Sequence, residues 1–208
     1  MDRITLIAGA EIDIPVGDPH AERVIVIMGD GDASAIGGNH FIHACRRNLD
    51  ITALVFNNGI YGLTGGQLAP TTPTGKRSTT STTGNIEPPF DLVRLALGAG
   101  AGFVARTTSF DHKQMTSLIK RAMLYKGFSV VDIMTSCPTY FGRMNEVAEP
   151  YDMLQYLRDT TSPMQPLFGK LADSAADPLK RYDTGLVIAG LAPWLGVIAM
   201  KFLWRESS

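Results

Sequence analysis

Two apolar runs constrain this chain more than any other feature in it. Val24-Ile25-Val26-Ile27-Met28 stops at Gly29-Asp30-Gly31, and Ile51 to Phe56 stops at Asn57-Asn58. Runs of this length without polar alternation read as strands buried on both faces, the habit of parallel sheets covered by helices. Two parallel strands joined by a helix deliver both following loops to one edge of the sheet, where doubly wound folds place their ligands. Asp30 then offers a carboxylate, and Asn58 an amide oxygen, to one hard cation whose remaining positions suit phosphate oxygens. From the residues alone this reads as a diphosphate site held through a metal, and it points to an enzyme. Gly-Asp-Gly after a strand is also an ordinary tight turn, and Asn-Asn-Gly turns a chain anywhere. The spacing of the two favours the metal.

The alternation continues to about Ile133 as strand, helix, strand, long loop, helix, strand, helix, strand. Asn39 to Asn48 reads as the first helix, with Phe41, Ile42, Ala44 and Cys45 on its apolar side and Arg46-Arg47 near its end, where cations suit the dipole. Gly62 to Pro89 is rich in Gly, Thr, Ser and Pro and too long for a plain connection, so it reads as a functional loop or lid. Phe90 to Gly98 is expected as a helix, 102–106 as a strand, Phe110 to Lys126 as an amphipathic helix and Ser129 to Met134 as a buried strand. Tyr151 to Thr160 is expected to be helical. The fold class is therefore α/β, a doubly wound, mostly parallel sheet. Prolines and lost periodicity place the end of this domain near residue 165, with 166–208 as an atypical tail.

Composition narrows the function classes. A formal net charge of -1 over 208 residues, with no basic stripe carrying aromatics, argues against a nucleic-acid partner. Two cysteines, Cys45 and Cys137, make no disulfide framework, and a reducing cytoplasm is the expected location. Met1-Asp2-Arg3 opens no signal-peptide pattern. In the tail, Gly185 to Met200 holds no charge, and the apolar segment reaches 204 only if Lys201 snorkels. It falls short of the roughly 20 residues a span needs and contains Pro193, so it reads as a buried or subunit-covering segment, with a membrane-associated tail as the alternative. His40 and His43 sit one helical turn apart, but no Cys or carboxylate completes a metal set with them. They are read as packing or as support behind the site. Cys45 reads as buried filler, and Arg46-Arg47 as a solvated helix end or a subunit contact.

Several motifs in order and spacing carry a resemblance. They are Gly29-Asp30-Gly31-Asp32, Ala35-Ile36-Gly37-Gly38-Asn39-His40, Arg46-Arg47-Asn48, the run Asn57 to Gln67, and Pro70-Thr71-Thr72. Together they closely resemble the β subunit of 2-oxoacid:ferredoxin oxidoreductases, the 2-oxoglutarate type being the nearest likeness, over roughly residues 24 to 160. The resemblance implies the thiamine-diphosphate-binding fold, in its diphosphate-type domain. It implies Mg2+ bound by the side chains of Asp30 and Asn58 and the backbone carbonyl of Ile60. Gly29, Gly31 and Asp32 are then expected at the diphosphate, and Thr64 as a donor to a phosphate. Leu63 falls at the pocket position, with Tyr61 beside it. Thiamine diphosphate would act on a 2-oxoacid, with coenzyme A taking the acyl group and electrons passing through an iron–sulfur cluster to ferredoxin.

Cys137, in Ser136-Cys137-Pro138-Thr139, matches a cluster cysteine of that family. A cubane ordinarily takes four thiolates, and the family's other three come from a longer segment before Gly-Asp-Gly, whereas Met1 to Met28 here carries no cysteine. The chain is then a fragment or shortened form, a partner chain supplies the rest, or the cluster is absent. No catalytic residue is assigned within the chain, because the glutamate that faces the aminopyrimidine ring is expected from an α subunit. Two other readings remain beside the oxidoreductase: a non-redox thiamine-dependent decarboxylase subunit, and a truncated subunit without turnover.

Overall fold

Strands that are apolar on both sides need helices on both sides, and the fold supplies them. The computed structural model describes residues 4–8, 23–161 and 188–189. In chain order the elements are β1 (Ile4–Ala8), β2 (Arg23–Gly29), α1 (Asp30–Ser34), α2 (Gly38–Arg47), β3 (Ile51–Asn57), β4 (Ile60–Tyr61), β5 (Gln67–Leu68), α3 (Leu92–Gly98), β6 (Phe103–Thr108), α4 (His112–Leu124), β7 (Ser129–Met134), a π-turn (Pro138–Gly142), α5 (Pro150–Thr160) and β8 (Ile188–Ala189). The main sheet runs β1-β2-β3-β7-β6-β8, parallel throughout except for β8, which pairs antiparallel to β6. This is the doubly wound, mostly parallel sheet that the sequence pattern predicts.

Alternate residues of each strand serve opposite faces, as the two-residue period of a strand requires. Val26, Met28, Ala53, Val55, Val104 and Val130 pack under α2 and α3, against Phe41, Ala44, Cys45, Leu92, Val93 and Ala96. Ile25, Leu54, Ala105, Val131 and Ile133 pack on the other face under Leu118 and Ala122 of α4. The β2–β3 register sets Gly29 against Phe56, so Asp30 and Asn57 leave the sheet side by side. That pairing, decided by the apolar runs alone, positions the site.

Differences from the sequence reading have local causes. Gly29-Asp30-Gly31 does not form a loop; Asp30 opens the one-and-a-half-turn helix α1. The helix expected from Phe110 starts at His112, because Asp111 caps it by accepting from the Gln114 N–H. The helix expected from Phe90 likewise starts at Leu92 behind the cap Asp91. The run 62–89 is no free lid. It contributes β5 of the β4–β5 hairpin and is tied down through Thr72, Ser78 and Asn85, each nearly or fully buried. A small third core of Ile60, Phe141 and Met153 fastens β4 beneath the π-turn and α5. Among the described residues no helix is long and apolar enough to cross a membrane. The boundary near 165 and the tail 166–208, with its apolar segment 185–204, lie outside the described residues apart from β8.

Candidate metal and diphosphate site

Asp30 is the centre of the site. It stands at the C-terminal end of β2 as the first residue of α1 and is 2% exposed. Its Oδ1 accepts from the Asn58 N–H at 3.4 Å, and its Oδ2 accepts from the Thr71 hydroxyl. Burial pushes its carboxyl up to about 6; the Thr71 and Asn58 hydrogen bonds pull it back, and the charge of Asp132 adds to the rise. None of the described groups acting on it is a cation. A buried carboxylate whose neighbours are a hydroxyl, an amide and a second carboxylate is chemically short of one positive charge. The donor set therefore fits a hard divalent cation.

The loop after β3 is held at every residue. Asn57 donates its side-chain amide to Asp132 Oδ1 at 3.2 Å and accepts from the Gly59 N–H at 3.3 Å. Asn58 Oδ1 accepts from the Ile60 N–H at 3.1 Å, closing a turn across Gly59, whose φ of 69° favours glycine. The Thr72 hydroxyl donates to the Gly59 carbonyl at 2.7 Å. The two asparagines thus do different work: Asn57 looks inward to the sheet, and Asn58 looks out beside Asp30.

Tyr61 closes the other side. Its hydroxyl donates to the Gly31 carbonyl at 3.2 Å, and burial, then Asp32, then Asp30 hold its phenol above the ordinary value. A Cβ on Gly31 would stand 2.3 Å from the Tyr61 ring, so this glycine is required by the ring. The Gly29 N–H is taken by Asp32 Oδ2 at 3.1 Å. Asp30, Gly31, Asn58, Ile60 and Tyr61 are therefore joined by direct hydrogen bonds, with Gly29 and Asp32 alongside. Leu63 is fully exposed, and Thr64 is exposed with its hydroxyl on Gln67 Oε1 at 2.6 Å. A Cβ on Gly62 would lie 3.5 Å from Asn58 Nδ2 and 3.6 Å from Cys137 Sγ, which puts the Cys137 thiol against the loop after Asn58.

The other candidates stand apart. His40 and His43 are exposed on α2, so neither packs into the core. Cys45 is fully buried, and burial pushes its thiol up to about 12, which makes it inert. Arg46 and Arg47 are exposed in the last turn of α2. No group of three or more His, Cys, Asp or Glu side chains among the described residues is arranged to hold a metal. One carboxylate and one amide hold a cation weakly, so phosphate oxygens have to complete the sphere.

Three partners of the site carry no role in the sequence reading. Thr71 and Thr72 sit between Pro70 and Pro73, a stiff turn that aims both hydroxyls into the site. Asp132 interrupts the apolar strand Val130-Val131-Asp132-Ile133 and is fully buried. A carboxylate in such a strand has to be paired, and Arg106 Nε meets it at 2.8 Å. Arg106 also reaches Asp91 at 2.9 Å; burial works against its charge, but Asp132 and Asp91 outweigh that and hold the guanidinium above its ordinary value.

Comparison with known proteins gives the chain a family. Residues 4–133 match the model of the thiamine pyrophosphate enzyme, C-terminal TPP binding domain. The chain is 54% identical over 137 residues to 2-oxoglutarate synthase subunit KorB of Archaeoglobus fulgidus, covering 66% of this chain and 49% of that one. It is 39% identical over 161 residues to 2-oxoacid:ferredoxin oxidoreductase subunit beta of Saccharolobus solfataricus, covering 76% and 51%. Among solved structures it resembles 2-oxoglutarate:ferredoxin oxidoreductase from Magnetococcus marinus with 2-oxoglutarate, coenzyme A and succinyl-CoA bound. There the TM-score is 0.63 and the identity 35%, over 72% of this chain and 48% of that one. The chain spans about half the length of the curated relatives it matches. By the match across most of its sheet, the chain belongs to the thiamine pyrophosphate enzymes, as their C-terminal TPP-binding domain.

Proposed function

We propose that this chain carries the Mg2+–thiamine-diphosphate half of a shared active site, in the β subunit of a 2-oxoacid:ferredoxin oxidoreductase acting on 2-oxoglutarate. The observation that carries this reading is the buried Asp30 carboxylate, hydrogen-bonded to Asn58 across the edge of the sheet with no described cation near it. The names of the relatives support the reaction class and substrate.

Asp30 and Asn58 would hold Mg2+ through their side chains and Ile60 through its carbonyl, with Gly29, Gly31, Asp32 and Thr64 toward the diphosphate. Leu63 and Tyr61 would border the pocket. When bound, thiamine diphosphate supplies the carbon that adds to a 2-oxoacid carbonyl and allows carbon dioxide to leave. This chain's residues fix the diphosphate end and exclude water beneath it, through the seal of Tyr61 on Gly31 and of Thr72 on Gly59. An α subunit would supply the glutamate facing the aminopyrimidine. Coenzyme A would accept the acyl group, and ferredoxin the electrons, by way of an iron–sulfur cluster with Cys137 as one ligand. The position of the Cys137 thiol, 3.6 Å from where a Cβ on Gly62 would stand and so beside the loop that follows Asn58, supports that route. A cytoplasmic setting suits two free cysteines.

The test is the affinity for thiamine diphosphate by calorimetry, with and without Mg2+. Asp30→Ala is expected to remove the Mg2+-dependent part, since a metal–phosphate bridge then loses its one charged protein ligand. Unchanged Mg2+-dependent affinity in that variant would sink the proposal.

A further inference from the structure

The connection between Gly62 and Pro89 reaches the metal ligand itself. Thr71, 6% exposed, places its hydroxyl on Asp30 Oδ2, while Asp30 Oδ1 faces the Asn58 N–H. Both oxygens thus accept from the protein, Oδ2 from the buried Thr71 hydroxyl and Oδ1 only at the long distance of 3.4 Å from the Asn58 N–H, so Oδ1, beside the loop that carries Asn58 and Ile60, is the oxygen with room for a cation. We propose that Thr71 is a specificity-determining residue for the metal: by holding Oδ2 it restricts Asp30 to one-oxygen ligation, which selects Mg2+ over Ca2+. This rests on the reading of Asp30 as a metal ligand given above.

The physical argument concerns shape. Mg2+ demands a small, near-octahedral sphere, in which a carboxylate gives one oxygen. Ca2+ takes six to eight oxygens at longer distances and readily accepts both oxygens of one carboxylate. A carboxylate free to rotate serves either ion. Fixed by a hydroxyl, it serves the smaller one better.

Thr71 can do this only because it cannot move away. Pro70 and Pro73 fix the backbone on either side of the threonine pair. The Thr72 N–H donates to the Ala69 carbonyl at 3.0 Å, and the Ala69 N–H donates back to the Thr72 hydroxyl at 3.0 Å. Asn85 donates to the Thr72 carbonyl at 2.7 Å from the far end of the same connection. The Phe90 N–H donates to the Pro70 carbonyl at 2.8 Å. The turn is braced before, across and after Thr71, so its hydroxyl is a fixed point rather than a passing contact.

The experiment measures thiamine diphosphate binding to the purified protein by calorimetry, with Mg2+ and separately with Ca2+, for the parent, Thr71→Val, Thr71→Ala and Thr71→Ser. Valine keeps the shape without the hydroxyl, alanine guards against a valine that packs badly, and serine restores the hydroxyl. In Thr71→Val or Thr71→Ala the Mg2+-supported affinity is expected to fall by about tenfold while the Ca2+-supported affinity holds or rises. Thr71→Ser is expected to return the preference to the parent's. Equal losses with both ions, or no change with either, would overturn the assignment of Thr71 and leave the cofactor reading standing. Asp30→Asn in the same series separates the two: if it retains full metal-dependent binding, Asp30 is no ligand and both fail together.

Discussion

Gly31 shows how a single residue here answers to two opposed demands. It lies inside α1, where alanine in place of glycine ordinarily stabilises a helix by about 0.5–1 kcal/mol. Against that, a Cβ at this position would meet three ring atoms of Tyr61 at 2.3–2.8 Å. Overpacking of that kind costs about 1–3 kcal/mol, so the clash wins. Gly31→Ala is expected to destabilise the protein in urea unfolding, and to become neutral or mildly stabilising when Tyr61→Ala removes the ring. An equal cost in both backgrounds would show that the ring is not what requires the glycine. At this scale the sequence was legible where chemistry is local. Asp30 and Asn58 stand out by following apolar runs, and the structure joins them at 3.4 Å. Thr71 was not legible as a partner, because its contact crosses 41 positions and nothing in Pro70-Thr71-Thr72 names the residue it reaches.

The elements are tied together by one buried charge cluster behind the site. Asp132 in β7 bonds Asn57 at the end of β3 and Arg106 in β6, and Arg106 reaches Asp91, whose carboxylate caps α3 by accepting from Val93 and Arg94. Three strands and a helix thus share one guanidinium. Asp132 is fully buried, whereas the Arg106 side chain keeps 28% of its exposure, so the cost of Arg106→Met falls at the lower end of that for breaking a buried pair, about 3 kcal/mol. Adding Asp132→Asn is expected to recover most of that loss, because a neutral amide still offers an oxygen to Asn57. If the double variant is no more stable than Arg106→Met in urea unfolding, the cost does not come from the stranded carboxylate. Strands β2, β3, β6 and β7 and helices α2 to α5 were readable from period, since each apolar face finds a helix or the sheet, whereas β1 and β8 were not read as strands. The β4–β5 hairpin was not, because two-residue strands leave no period to read. Nor was α1, where two glycines and two aspartates read as a turn until the Tyr61 contact is known.

Across the whole molecule, the described site is one-sided. The proposed ligands Asp30, Asn58 and Ile60, their hydrogen bonds and the braced loop all gather at the C-terminal edge of one sheet, and Leu63 in the same loop is fully exposed. Under the proposed function such a surface would hold the diphosphate end of the cofactor, with the opposite end met by another chain or segment. The same one-sidedness governs the electrons. Among the described cysteines, Cys45 is sealed in the core at 0% exposure, and Cys137 is half-buried beside the metal loop. Under the proposed function Cys137 would be this chain's one cluster ligand, and a cubane would take three more thiolates from elsewhere. Chemical analysis of the protein purified with its partners is therefore expected to find about four irons and about four acid-labile sulfides per copy of this chain. Cys137→Ser is expected to lower both together while leaving Mg2+-dependent thiamine diphosphate binding in place, because the hydrogen bonds that hold Asp30 and Asn58 come from Thr71, Ile60 and each other. A complex with no iron that still releases carbon dioxide from a 2-oxoacid would remove the oxidoreductase half of the reading. The decarboxylase would then stand alone, working on the same Asp30 and Asn58 but passing its electrons nowhere.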